Sequence, residues 1–145
     1  MLYSKTCEHA IRALAYLASR PAGDLCLVGE IAEAEDMPRP FTSKILRDLV
    51  RAGLLTSSRG PGGGYALARD PKDVSLLEIQ QIIDGVGNLD RCAVGLAACN
   101  EFAPCPLHDE FEPLREEIRT YLTGTTLEQM SRALKRKRAL LEEKN

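Results

Sequence analysis

The sequence has no tryptophan, only two histidines and 5% aromatic residues among 145. No stretch approaches the roughly 20 consecutive apolar residues needed to span a bilayer. Glu8, His9 and Arg12 interrupt the N-terminal apolar residues, so no export signal is visible and a cytoplasmic protein is expected. There is no excess of one charge either: 19 basic residues oppose 21 acidic ones, for a formal charge of -2. That balance excludes a polybasic tail and an acidic disordered segment, and any nucleic-acid function must rest on local charge. No Cys-x2-4-Cys pair, nucleotide-binding motif, internal repeat or low-complexity tract occurs. An enzyme is therefore not expected, because a thiol oxidoreductase would need a Cys-x-x-Cys pair or a general base in a defined pocket. Five cysteines make an odd total, and three of them fall within fourteen residues, which argues against a closed disulfide framework.

What is present is helical periodicity. From Thr6 to Ala18 the apolar residues Ile11, Leu14, Leu17 and Ala18 recur at the spacing of an amphipathic helix, with Cys7 extending that face. Pro21 to Asp24 is a turn, and Val28 to Glu35 predicts a second, short helix. A third helix has Pro40 in its first turn and Gly53 at its end. Leu54–Ser57 and Tyr65–Ala68 read as strands around a glycine-rich tip. Ser75 and Glu78 form a capping box for a helix carrying Ile79, Ile82 and Ile83, stopped by Gly85 and Gly87. Residues 85–106 have no period and would be an unusually long loop unless something organises them. Pro106 to Leu122 is helical again through Leu107, Phe111, Leu114, Ile118 and Leu122, and a box from Thr125 to Glu128 opens a last helix.

On the third helix Phe41, Ile45, Leu46 and Leu49 share one side, and Arg39, Ser43, Lys44, Arg47 and Arg51 share the other. Between Asp36 and Lys72 seven basic residues face three acidic ones, a local surplus that attracts phosphate by counterion release. An ordinary solvated helix face would look the same in isolation. The hairpin Arg59-Gly60-Pro61-Gly62-Gly63-Gly64-Tyr65 shifts the balance, because joining two strands does not require so much glycine. A phosphate-cradling nucleotide loop would be followed by a helix, whereas here a strand follows. Three helices and a wing make a winged helix-turn-helix, with the third helix in the major groove and the wing on the backbone or in the minor groove. The expected DNA contacts are Arg39, Thr42, Ser43, Lys44, Arg47 and Arg51 from the helix, and Arg59, Gly60, Gly62, Gly63 and Tyr65 from the wing.

Cys92-x6-Cys99-x5-Cys105 offers three soft ligands on a flexible loop. An iron–sulfur centre needs thiolates and usually four ligands, so one place remains. His108 lies one helical turn after Cys105, and Glu8 is reachable only by folding back or from a second subunit. Zinc is the main competitor, although its tight sites use closely spaced cysteine pairs. Thiol redox chemistry is the third possibility. Cys7 and Cys26 read as buried small hydrophobes. Glu8 is four residues before Arg12, the favourable orientation for a surface ion pair, and His9 has no evident partner.

The strings SKTCEHAIRALAYLA, PFTSKILRDLVRAGLL and RGPGGGYALARDPKDVSLLEI, together with the three spaced cysteines, resemble the IscR/NsrR/RirA family of bacterial winged-helix iron–sulfur transcriptional regulators from Met1 to about Leu127. The resemblance implies a homodimeric repressor or activator, here expected to be a repressor. Its affinity for double-stranded operator DNA would depend on a 2Fe-2S or 4Fe-4S cluster that senses iron or cluster supply, nitric oxide or redox state. It places Cys92, Cys99 and Cys105 on the metal ligands. For the fourth ligand, His108 matches the IscR-like pattern, and Glu8 of the partner subunit matches the acidic ligand of the NsrR-like pattern. Glu8 is slightly preferred.

The expected architecture is mainly α with a small β-hairpin wing. Residues 1–84 would form the DNA-binding domain, 85–106 the cluster loop, and 107–145 a dimerisation helix plus a C-terminal helix. Two recognition helices would then read half-sites about one turn, roughly 34 Å, apart. The alternatives are a zinc-bound or cluster-free thiol-sensing transcription factor and a winged-helix protein-interaction adaptor.

Overall fold

A computed structural model describes residues 2–145. Helix α1 spans Lys5–Ala18, α2 Val28–Ala34 and α3 Arg39–Arg51. Strands β1 (Leu55–Ser58) and β2 (Gly64–Leu67) follow, then α4 (Leu76–Asp84), α5 (His108–Gly124) and α6 (Leu127–Glu142). This is the mainly helical winged helix-turn-helix expected from the pattern. No described helix is long and apolar enough to cross a membrane.

Aliphatic side chains build the core, as a sequence poor in aromatics requires. Leu14 of α1, Ile31 of α2, Ile45, Leu46 and Leu49 of α3, and Leu76 and Ile79 of α4 are all buried in one cluster. Ser4 caps α1 by accepting from the Cys7 N–H at 3.1 Å. Its own N–H donates to Asp84 Oδ2 at 2.8 Å, which ties the start of α1 to the end of α4.

The strands pair antiparallel from Leu55↔Leu67 to Ser58↔Gly64, one residue away from the expected limits. Cys26 adds a bridge that the pattern did not reveal. Its N–H donates to the Tyr65 carbonyl at 2.9 Å, and the Tyr65 N–H donates back at 2.8 Å. Gly64 therefore lies flat against the Cys26 backbone, with φ +142°.

The cap of α6 is also displaced by one residue. Thr126 and Gln129 form the box, while the Thr125 hydroxyl instead donates to the Tyr121 carbonyl at 2.8 Å and closes α5. The bridge Ser75↔Thr126 selects this register, with the Leu127 N–H on the Val74 carbonyl at 2.8 Å. Helix α6 then returns along α1, so the C-terminal segment packs against the DNA-binding unit.

One ion-pair network holds that return. The Glu35 carboxylate, only 3% exposed, accepts from Arg12 Nε at 3.3 Å and from Arg138 of α6. Arg12 also donates to the Glu35 carbonyl. The expected Glu8–Arg12 pair does not form, because a buried carboxylate at the turn before α3 outcompetes a surface contact worth a few tenths of a kcal/mol. Glu35→Ala is expected to cost about 2 kcal/mol, less than a fully buried pair because both arginines remain partly solvated. Thermal unfolding should show the midpoint falling by roughly 6 °C.

Candidate nucleic-acid interface and metal centre

Helix α3 presents Lys44, Arg47 and Arg51 outward, exposed, with Ser43 half-buried on the flank. Thr42 does not join them. It is fully buried, and its hydroxyl donates to the Pro38 carbonyl at 3.0 Å, which removes it from the surface and corrects its expected role at the DNA. The helical projection places Thr42 between Leu46 and Leu49, so its side chain packs inward. Arg39 lies over the first turn of α2. A Cβ at Gly29 would come within 3.3 Å of the Arg39 Cζ, so the absence of a side chain there accommodates the guanidinium.

The basic surplus is smaller than its residue count. Arg51 pairs with Asp48 at 3.1 Å, Lys72 with Asp70 at 3.5 Å, and Arg69 with Glu78. Arg39, Lys44, Arg47 and Arg59 carry no ion pair among the described residues. These four form the free cationic surface of helix and wing. At the tip Gly60 and Gly62 adopt φ +83° and +74°, conformations that disfavour any side chain. Gly63 is enclosed: a Cβ there would lie 2.3 Å from the Ser58 carbonyl oxygen. Tyr65 is half-buried beside this tip.

The loop after α4 gathers the three clustered cysteines. The thiol sulfurs of Cys92, Cys99 and Cys105 all lie within 4.8 Å of one another, and Cys92 Sγ is 3.6 Å from Cys105 Sγ. Backbone donors organise them. The N–H groups of Val94 and then Leu96 stabilise the Cys92 thiolate and lower its pKa to about 7. The Cys105 N–H, 3.4 Å from Cys99 Sγ, favours that thiolate too, but burial and the neighbouring thiols outweigh it and its pKa is raised. Cys7, buried and beside Asp84 and Glu8, is pushed up to about 12. Cys7 and Cys26 stay inert packing residues, as expected.

The two candidates for the fourth position differ in placement. His108 Nδ1 lies 3.4 Å from Cys99 Sγ, while the Glu8 carboxylate pairs with Lys5 at 3.0 Å on α1. Within one chain, His108 is the residue brought to the thiols. His9 is the edge partner of Phe41, with ring centroids 5.2 Å apart.

Two residues that periodicity did not single out hold this loop. Arg115 is 7% exposed and donates to the Arg91 carbonyl at 2.8 Å, and Arg119 reaches Asp90 Oδ1 at 2.6 Å. Their only sequence signal is a pair of arginines four apart beside the apolar stripe of α5.

The profile of the Rrf2 family, described as iron-dependent transcriptional regulators, matches residues 3–133. The chain belongs to the Rrf2 family. A helix-turn-helix-type transcriptional regulator of Aquifex aeolicus is 34% identical over 132 residues, covering 90% of this chain and 91% of that protein. The IscR regulator of Cereibacter sphaeroides is 32% identical over 79 residues, covering 54% of this chain and 51% of its own. Among solved structures, IscR of T. potens superposes with a TM-score of 0.72 at 24% identity, covering 90% of this chain and 86% of that one. The B. subtilis cysteine regulator CymR superposes at 0.74 with 20% identity, covering 90% and 95%. At these identities the structural likeness is one of fold. This Rrf2 protein is thus a transcriptional regulator of winged-helix architecture.

Proposed function

We propose that this Rrf2 protein is a homodimeric, cytoplasmic repressor whose operator affinity follows the state of an iron–sulfur cluster held by Cys92, Cys99, Cys105 and His108. The observation that carries this reading is the convergence of three thiols on a single spot, with the His108 imidazole against one of them, Cys99. The donor set is soft, and the segment Ala93–Ala98 beside it is exposed. When bound, such a cluster supplies redox- and ligand-sensitive chemistry that bare thiols lack. The same loop starts just after α4, whose last residue Asp84 grips Ser4 of α1, so ligand state is connected mechanically to the helix lying over α3.

Dimerisation is supported by α5. One edge of its apolar stripe packs on α4 through Leu122, while Leu107, Leu114 and Tyr121 stay exposed along the other. A second copy is the natural cover for such a stripe, and it would set two α3 helices for a near-palindromic site. In such a dimer Glu8 of the partner subunit's α1 is the alternative fourth ligand. On the DNA side, Lys44, Arg47, Arg51, Arg39, Ser43, Arg59 and the wing backbone make the contacts.

Anaerobic protein should carry iron and acid-labile sulfide in comparable amounts, with visible absorption. One equivalent of zinc without sulfide would overturn the cluster. Zinc is the second reading, because a tetrahedral ion with sulfurs at about 2.3 Å spaces them about 3.8 Å apart, close to the Cys92–Cys105 separation. Arg47→Ala is expected to weaken operator binding by about tenfold and to reduce the slope of log K against log salt by about one. An unchanged slope would remove Arg47 from the phosphate contacts.

A further inference from the structure

The loop from Gly85 to Cys105 is attached to α5 at two separate places. At its end the His108 N–H donates to the Cys105 carbonyl at 3.0 Å, within the first turn of the helix. At its beginning the attachment is two turns further along, at Arg115 and Arg119. Seven residues of helix between His108 and Arg115 amount to about 10 Å of axial rise. Even so, Cys92 Sγ returns to within 3.6 Å of Cys105 Sγ.

We propose that Arg115 and Arg119 are positioning residues for the thiol triad: they pin Asp90 and Arg91 to α5 and so deliver Cys92 to Cys99 and Cys105. This rests on the reading of the triad as a metal centre, and it makes the loop and α5 one mechanical unit.

Arg115 is the stronger of the two. Its guanidinium is enclosed, donating to the Arg91 carbonyl and to Glu112, and its Cζ lies 5.1 Å from the centroid of the Phe111 ring. Its two terminal nitrogens are paired while its Nε is buried without a partner among the described residues, so the guanidinium leans on the Arg91 carbonyl and Glu112 to offset the cost of burying the charge. The carbonyl it holds belongs to the residue directly before Cys92. Arg119 is about one-third exposed and clamps Asp90 while also meeting Glu116 at 3.2 Å.

Without these anchors the first half of the loop keeps Leu89 on the core and the local turn from the Gly95 N–H to the Cys92 carbonyl, but nothing ties Asp90 and Arg91 to α5. Ala93, Val94, Leu96 and Ala97 are exposed, and ordering each residue costs about 1 to 2 kcal/mol of backbone entropy. Cys92 would then sample positions away from the other two thiols. The placement also has a consequence for signalling. Arg115 and Arg119 flank the stripe of α5 whose opposite edge carries Leu114 and Tyr121, so a displacement of Cys92 is passed to the helix that bears the exposed apolar face.

The test uses cobalt(II) alone, added to the full-length, reduced, metal-free protein without oxygen, where thiolate-to-cobalt absorption counts the converging sulfurs. Arg115→Met should bind cobalt about tenfold or more weakly, with the absorption of Cys92→Ser. Arg115→Lys should recover part of the affinity, and Arg119→Gln should lose about threefold. Amide exchange should rise at residues 90–97 and stay unchanged in α1 to α3. Wild-type cobalt affinity and spectrum in Arg115→Met would overturn the proposal. If Arg115→Met does not fold, Arg119→Gln decides, and wild-type cobalt binding and loop exchange there would overturn it equally. Because no iron or sulfide enters this titration, a wild-type protein that fails to assemble a cluster would defeat the cluster reading while leaving this result standing.

Discussion

Gly64→Ala is expected to abolish high-affinity operator binding while leaving the helical core folded. Gly64 sits at φ +142°, where a side chain is strained, and a Cβ there would lie 2.5 Å from the Cys26 carbonyl oxygen and 2.7 Å from its carbon. Both neighbours are backbone atoms, so neither can rotate away. Relief requires β2 to separate from Cys26, breaking the reciprocal hydrogen bonds of 2.9 and 2.8 Å between Cys26 and Tyr65. Strain at such a position costs about 1 to 3 kcal/mol, and each lost hydrogen bond about 1 more. Binding with the wing in its native position must carry that cost, and about 3 kcal/mol corresponds to roughly a hundredfold in affinity. Fluorescence anisotropy with operator DNA, alongside far-UV circular dichroism, checks both halves of the expectation. Gly60 offers the contrast: nothing lies within 4 Å of a Cβ there, so Gly60→Ala carries the φ penalty alone and should cost less.

Cys105→Ser should remove nearly all bound iron and sulfide, a larger effect than loss of any residue supporting the site. Cys105 is the buried member of the triad and its structural hub. Its N–H faces Cys99 Sγ at 3.4 Å, its carbonyl accepts from the His108 N–H at 3.0 Å, and its sulfur is the near neighbour of Cys92. Residues that only orient a ligand typically cost 10- to 100-fold in metal affinity when lost, and a missing ligand on a soft metal costs more. Iron and sulfide analysis of anaerobically purified protein should fall below about a tenth of wild type. Cys7→Ala is the control, since that thiol is fully buried in the core and held protonated, and its chromophore should match wild type. His108→Ala tested beside Glu8→Ala then identifies the fourth ligand. Loss of the chromophore in the first alone would favour an intrachain site, and loss in the second alone would favour a ligand from the partner subunit.

Much of this architecture is legible in the sequence alone. The amphipathic faces of α1, α3 and α4, the Ser75 cap and the glycine tip of the wing depend on residues within four positions of each other. Local spacing is enough to specify them. The errors have the same origin. Thr125 and Thr126 are adjacent and each is followed by a residue that could complete a capping box, so only the bridge to Ser75 chooses between them. Thr42 is compatible with a polar face by residue type, and its burial follows from its angular position between Leu46 and Leu49. Glu8 has a suitable neighbour at Arg12, yet Arg12 turns to a carboxylate twenty-three residues away.

The sequence by itself determined the winged helix, the basic face of α3 and the three thiols as candidate ligands, because periodicity, glycine placement and ligand softness are properties of residues in short windows. Tertiary structure decided which cations remain free, which register α6 takes, that His108 lies at the thiols within its own chain, and that Arg115 and Arg119 hold the loop. Those outcomes depend on burial and on partners distant in the chain. A buried carboxylate or carbonyl selects its cation by desolvation and geometry, quantities that exist only once the chain has folded.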